Sequence, residues 1–432
     1  MSLSTTKGSQ RLHRLSKHVS ASGTPKYSPL KISDFESENL NTTGSSDVLQ
    51  LMDFDNMLTD DERRIQWKVR QVMQATAKED FADLWERAAF DPQIVEVCKQ
   101  FGPAGLQIKG YDCPGLKHTQ AVLFALEMAR VDVSLATFYL VHCGLAMQSI
   151  AVAGSEEQKR FWLPQMSRLE KIGCFALTEP EHGSDATNLK TTAHRAGDGW
   201  ILNGKKRWIG NGTFADVSVV WAKDTSTGRI QGFIVEKHFA GLRSQKIERK
   251  TALRTVQNAD LLLENCFVPE SHRLEKEGFG TSTKAVLESS RALVSALCAG
   301  CLLGAYENAF SYCMRRMQFG RELTSFQLVQ ERLMRALGLV QASLLLVLRL
   351  GRLLDEGKAS MGLIALMKAT CSRFAREGVA LCREVQGGNG ILLDFSVAKF
   401  HADIEALYTY EGTYDINILV AAREFTGSNA IV

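Results

Sequence analysis

Few residues in this chain have the types and spacing that chemistry requires. Cys298 and Cys301 form a C-x-x-C pair that could serve redox or zinc chemistry. No second pair exists and both lie in the apolar run Leu293–Leu303, so they read as buried helix thiols. Gly199-Trp-Ile-Leu-Asn-Gly204-Lys205 has the outline of a phosphate-binding loop. The next residue is Lys206, so no hydroxyl is available for Mg²⁺, and Asn203-Gly204 reads as a hairpin turn. No G-x-G-x-x-G follows a strand, and the nine histidines lack metal-ligand spacing, so neither a Rossmann dinucleotide site nor a metal is expected. Taken singly, Glu411 would be a solvated loop carboxylate, Gly387-Gly388 a helix C-cap and Trp208 a core aromatic. Leu177-Thr178 and Ser184 would belong to a turn ending a strand, and Arg291 to a surface ion pair with Glu288.

The chain must position these groups with 432 residues, enough for two or three domains. Hydrophobic residues at 45% and charged ones at 23% exclude wholesale disorder and fibrous architectures. A formal charge of +3 is too balanced for a dedicated nucleic-acid binder. The longest uncharged apolar stretch, Ala292–Tyr306, is short of the ~18–20 residues of a bilayer span, so no membrane crossing is expected. Ten cysteines in so long a chain do not form a disulfide scaffold.

Residues 1–50 read as a targeting or disordered extension and linker. The first 33 residues carry six lysines and arginines and no acid. Arg11-Leu12, five residues, then His18-Val19 resembles an N-terminal peroxisomal targeting signal; a mitochondrial presequence is the alternative. Residues 51–170 have mostly helical apolar spacing, as at Trp67, Val69, Val72 and Met73 and again at Val122, Leu126, Met128 and Ala129. Residues 171–276 change to strands, at Val217–Trp221, Gly232–Val235, and Leu261–Leu263 through Phe267-Val268. Residues 277–432 contain no proline and show long helical patterns at Met334–Leu354 and Ile364–Val385. Segregated helices, strands and helices predict an α+β fold rather than an alternating chain.

Four segments, taken together, resemble the acyl-CoA dehydrogenase/oxidase family. Glu384-Val-Gln-Gly-Gly-Asn-Gly390-Ile391, followed by Asp394, Lys399 and Asp403, resembles its second signature, and Ala176-Leu-Thr-Glu-Pro-Glu-His-Gly-Ser-Asp185 its first. Tyr410-Glu-Gly-Thr413 is similar to its catalytic segment and Arg316-Met-Gln-Phe-Gly320 to its flavin-clamping segment. The resemblance runs from about Met52 to Gly427, closest to the plant short-chain acyl-CoA oxidases and the glutaryl-CoA dehydrogenases. It implies an N-terminal helical domain, a central β-barrel-like domain and a C-terminal four-helix bundle.

It further implies an FAD enzyme that removes an α-proton while a hydride leaves the β-carbon. Glu411 would be the base, with its own backbone N–H stabilising the thioester oxygen. FAD-binding positions would be Leu177, Thr178, Trp208, Ile209, Gly210, Arg316, Phe319, Gln327, Glu384, Gly387, Gly388, Thr413 and Asp415. Ser184, Arg291, Tyr410 and Gly412 would contact the acyl-CoA. Because Arg316, Phe319 and Gln327 correspond to residues that hold FAD from a neighbouring subunit, a homo-oligomer, dimer or tetramer, is implied.

Three departures shape the expected chemistry. Ala136 stands where the glutaryl-CoA branch has an arginine for the distal carboxylate, which favours an uncharged acyl chain. Gly210 replaces a threonine usual in dehydrogenases, an oxidase-like feature that leaves space for O₂. His182 stands where the first signature has a small residue or Asn. The expected function is oxidation of short, uncharged acyl-CoAs to trans-2-enoyl-CoAs with O₂ as acceptor, in the peroxisome. The alternatives are a mitochondrial dehydrogenase serving an electron-transfer flavoprotein and, behind it, a non-catalytic scaffold.

Overall fold

The structure, a computed structural model, describes residues 48–76, 78–276, 278, 280 and 283–429. The basic N-terminal segment with Arg11 and His18 lies outside them. The first labelled helix, α1 (Asp60–Ala75), starts at a capping box in which Thr59 and Glu62 satisfy each other's backbone N–H groups. Asp60, Asp61 and Glu62 fill its first turn, where the helix dipole favours negative charge. Then come α2 (Lys78–Glu86), α3 (Gln93–Gln100), α4 (His118–Val131) and α5 (Val133–Leu140). A π-helical segment, Val141–Met147, continues α5 into α6 (Gln148–Ala153), and α7 (Glu156–Ser167) ends this part.

The middle part is a curled sheet of β1 (Gly173–Ala176), β2 (Thr192–Ala196), β3 (Gly199–Ile209), β4 (Val217–Asp224), β5 (Ile230–Glu236), β6 (Leu242–Lys246) and β7 (Ala259–Pro269). Its order is β1-β4-β2-β3-β7-β6, with β5 antiparallel on β4. The strand patterns at 217–221, 232–235 and 261–268 fall in β4, β5 and β7. The hairpin turn expected at Asn203-Gly204 is not there: both residues lie inside β3, which turns from β2 at Ala196–Gly199 instead. Asn203 and Asn265 exchange side-chain and backbone hydrogen bonds across a bulge, and a Cβ at Gly204 would collide with Thr191. The Asn-Gly pair serves a close strand crossing rather than a turn.

The C-terminal part consists of α8 (Lys284–Arg315), α9 (Gln327–Asp355), α10 (Met361–Val385), α11 (Val397–Thr409) and α12 (Tyr414–Thr426). The apolar run Ala292–Tyr306 lies in α8 and is buried all round. Gly300 and Gly304 interrupt it because α4 crosses there, where a Cβ would strike the carbonyls of Leu126 and Arg130. Cys298 and Cys301 are free and fully buried in this helix, and burial pushes the Cys298 thiol up to about 12. By length and composition, segments 133–153, 286–315 and 327–355 are helical and apolar enough to cross a membrane. In the fold 78%, 83% and 50% of their apolar windows are buried, which accounts for the apolarity of the first two by helix packing.

Lys399, buried in α11, meets Asp132 at 2.6 Å and Asp403 at 3.0 Å. Asp403 also accepts from the Trp85 indole at 2.7 Å and the Leu253 N–H at 2.6 Å. This one cluster ties α2, the α4–α5 junction and the chain before β7 to the helix that leads into Tyr410-Glu411. Burial alone would pull the Lys399 ammonium down, but the two carboxylates outweigh it and hold the group charged.

Candidate active site

Glu411 sits in the turn between α11 and α12 with φ of 54°. It is partly buried, not a solvated loop side chain, and its Oε2 accepts from Ser290 Oγ at 2.6 Å. Burial raises its pKa above the usual carboxylate range; the Ser290 hydrogen bond and the charges of Arg291 and Lys368 oppose that shift without cancelling it. The carbonyls of Glu411, Gly412 and Thr413 are all engaged. Arg291 Nε donates to Glu411 O at 3.2 Å, and Lys368 Nζ to Gly412 O at 2.8 Å and Tyr408 O at 3.1 Å. Asn417 Nδ2 lies 3.3, 2.8 and 3.1 Å from the carbonyls of Glu411, Gly412 and Thr413. Among the described residues nothing accepts from the Glu411 backbone N–H. A carboxylate with a raised pKa beside an unused N–H donor matches a base and an oxyanion stabiliser in one residue.

A second face meets the turn from α5 and the π-helical segment that continues it. Thr137 Oγ1 is 3.2 Å from Tyr410 Oη. Four residues on, Val141 Cγ2 lies 3.0 Å from where a Cβ on Gly210 would stand. Positions 137 and 141 share a helix face, so this face spans from the catalytic turn to the end of β3. Ala136, also in α5, is 2% exposed and brings no charge.

At the sheet edge, buried Lys206 donates to Leu177 O at 3.0 Å and to Glu179 Oε1 at 2.8 Å, while Arg207 N donates to Thr178 O at 2.8 Å. Burial would raise the Glu179 carboxyl, but Lys206, Thr191 and the Lys190 N–H outweigh it and hold it at about 2. Leu177 and Thr178 are therefore rigidly presented beside β3. Trp208, with φ of 65°, is 52% exposed instead of core, with the Arg207 guanidinium 5.3 Å over its ring. Ile209 is buried, and Asn211 ties the segment to Phe138 O and Gly173 O at 3.2 and 3.3 Å. Ser184 is exposed near the end of the first signature, on the loop that follows β1.

The remaining candidates gather elsewhere. Arg316, Phe319 and Gln327 are exposed around the hairpin Met317–Gln318/Arg321–Glu322 and the start of α9. Glu384 near the end of α10 pairs with Arg332 of α9 at 3.1 Å. Gly387, with φ of 58°, does cap α10, and no atom lies within 4 Å of a Cβ built there or on Gly388. Thr413 is the N-cap of α12, accepting from Ile416 N at 3.2 Å, and Asp415 is exposed in its first turn. At 1.5 Å per residue, α8 carries the chain about 36 Å from Arg291 to Arg315. One copy therefore brings Glu411, Tyr410, Gly412 and Arg291 together and holds the Arg316 group at the other end.

Arg291 is only 9% exposed, so it is a buried support of the Glu411 turn and not a surface ion-pair residue. The residues that sequence reading missed are Ser290, Lys368 and Asn417. A lysine inside the apolar pattern of Ile364–Val385 was the available signal for Lys368; Ser290 and Asn417 carried none.

Comparison with known proteins accords with this geometry. Residues 59–170, 174–266 and 276–426 match the N-terminal, middle and C-terminal domains of acyl-CoA dehydrogenase. A probable acyl-CoA dehydrogenase of Mycobacterium tuberculosis is 31% identical over 366 residues, covering 82% of this chain and 94% of that protein. A glutaryl-CoA dehydrogenase from Mycobacterium smegmatis, solved with FADH2, superposes with a TM-score of 0.86 at 33% identity, over 89% of this chain and 99% of that one. Butyryl-CoA dehydrogenase from Megasphaera elsdenii gives 0.81 at 27% identity, over 85% and 99%. The chain belongs to the acyl-CoA dehydrogenase family, a family of FAD-dependent oxidoreductases acting on the CH–CH bond of an acyl-CoA.

Proposed function

We propose that this protein desaturates short, uncharged acyl-CoAs to trans-2-enoyl-CoAs and passes the electrons to O₂. The observation that carries the reading is the Glu411 turn, with its raised carboxyl and its unused N–H. The residues present fit FAD: Trp208 is an exposed aromatic beside Leu177 and Thr178, and Gly387 and Gly388 leave main chain accessible. When bound, FAD would supply the acceptor for the hydride leaving the β-carbon, and O₂ would take its two electrons and its proton, together with the equivalent of the α-proton, to become hydrogen peroxide. Glu411 takes the α-proton, and its N–H holds the thioester oxygen as negative charge develops there. Ser290 orients the carboxyl, and a bound acyl chain would exclude water from it.

Ala136 supports the uncharged substrate, because a distal carboxylate buried beside it would lack a partner. Gly210 supports O₂ as acceptor, since it presents no hydroxyl; Val141 packs against it, with Cγ2 3.0 Å from where a Cβ would stand. The exposed Arg316 end supports a homo-oligomer in which each copy completes its neighbour's FAD site. The Arg11–Val19 pattern supports the peroxisome.

The deciding experiment is anaerobic bleaching of the yellow protein by butyryl-CoA, followed by air and peroxide detection. Bleaching, rapid recolouring and stoichiometric peroxide are expected. Slow recolouring without turnover, with fast reoxidation by an electron-transfer flavoprotein, would replace the oxidase reading with the dehydrogenase one.

A further inference from the structure

Lys368 is an unusual residue to find in the middle of α10. Its side chain is fully buried, and the partners of its ammonium among the described residues are not carboxylates. Its ammonium instead reaches two main-chain oxygens of the catalytic segment, Tyr408 O at 3.1 Å and Gly412 O at 2.8 Å. These carbonyls flank Glu411 on both sides, so one amine spans the turn. A methionine or leucine would fill the same volume in a helix interior at lower desolvation cost, so burying an ammonium here calls for a compensating role.

We propose that Lys368 is a positioning residue for the proton-abstraction step: it locks the Glu411 turn through those two carbonyls, and its charge keeps the Glu411 carboxylate in its proton-accepting form. The inference rests on Glu411 being the base. The charged and titratable groups facing that carboxyl are Arg291 and, behind it, Glu288 from α8, Lys368 from α10, and Tyr410 from the turn itself. Cys298 of α8 lies near Lys368, with its thiol pushed up to about 12 and so neutral. Arg291 and Lys368 are the two cations among them; burial pulls the Lys368 ammonium down to about 8, so it carries its charge at neutral pH and loses it above that value. Arg291 spends its Nε on Glu411 O and its Nη1 on Met361 Sδ at 3.2 Å, so its orientation is set independently of Lys368. Asn417 holds carbonyls of the same turn without any charge, which allows geometry and electrostatics to be separated.

The test is the pH profile of anaerobic flavin reduction by butyryl-CoA in FAD-loaded full-length protein. Wild type and the K368M, K368R and N417A variants would be compared, with FAD content and melting temperature recorded for each. K368M is expected to move the midpoint for reduction up by about one pH unit, the size an opposite charge near a carboxylate produces, and to slow reduction below that midpoint. K368R is expected to restore the midpoint, and N417A to slow reduction at every pH with the midpoint unmoved. A loaded K368M with the wild-type midpoint overturns the proposal. If K368M does not retain FAD, N417A decides: a midpoint shifted as far as one unit would assign control to loop shape and overturn the electrostatic role, and an unmoved one supports it. Wild type that is not bleached, or E411Q bleached as fast as wild type, would instead remove the base assignment itself, so the two failures are distinguishable.

Discussion

The two ends of the α8–α10 helix pair are built differently. At the Glu411 end Ser290, Arg291, Lys368 and Asn417 converge from three helices, and every carbonyl of the turn from Glu411 to Thr413 has a donor from its own chain. At the Arg316 end the side chains point outward, with Phe319 93% exposed on its hairpin and open space over Gly387 and Gly388. The first end is pre-organised by one polypeptide. The second resembles half of an interface, suited to gripping a ligand that another copy also holds. On the proposed reading, chemistry and cofactor retention fall at separate places along one helix, and changes at either should be separable by experiment.

The largest effect is expected at the first end. E411Q should keep FAD and lose roughly 10²–10⁴ in the rate of anaerobic flavin reduction, read by stopped flow. R316A should do the reverse. Loss of a charge-assisted bond of about 1.5–3 kcal/mol should weaken FAD affinity about 10–100-fold in equilibrium dialysis, and excess FAD should restore the reduction rate. A wild-type FAD affinity for R316A would break the contrast between the two ends.

Smaller effects sharpen it. G210T must displace Val141 and should lower oxygen consumption several-fold in an oxygen-electrode assay, with V141A in the same chain restoring part of it. Undiminished oxygen consumption by G210T would count against the O₂ reading. The pH dependence has a definite sign. Glu411 has its pKa raised in the folded protein, so ionising it opposes folding: this contribution favours the native state at low pH and is lost as pH rises through the folded value. E411Q should therefore melt no lower, and up to a few degrees higher, than wild type at pH 8. Glu179 has the opposite sign: held at about 2, it stabilises the fold above the usual carboxylate pKa, and that support drains away as pH falls toward 2. E179Q should flatten the acid limb of the melting-temperature profile.

Periodicity was enough to place α4, α9, α10 and the strands β4, β5 and β7, because each carries a one-sided or fully apolar pattern that survives in any context. Asn203-Gly204 misled because a local turn preference was overridden by a strand crossing that only the fold reveals. The same contrast holds for the site. Glu411, Trp208 and Gly387 were legible because short motifs surround them. Ser290 and Asn417 were not, since a serine and an asparagine gain their meaning from the turn they meet in space, over a hundred residues away in the first case.

A last consequence follows from where the sulfur atoms lie. All ten cysteines are free, nine are buried, and Cys113, the one partly buried, has its thiol pushed up to about 11. Thiolate is the nucleophile that attacks peroxide and is oxidised by it, and almost none exists here at neutral pH. On the proposed oxidase reading, hydrogen peroxide released beside these helices would find almost no thiolate to oxidise, turnover after turnover.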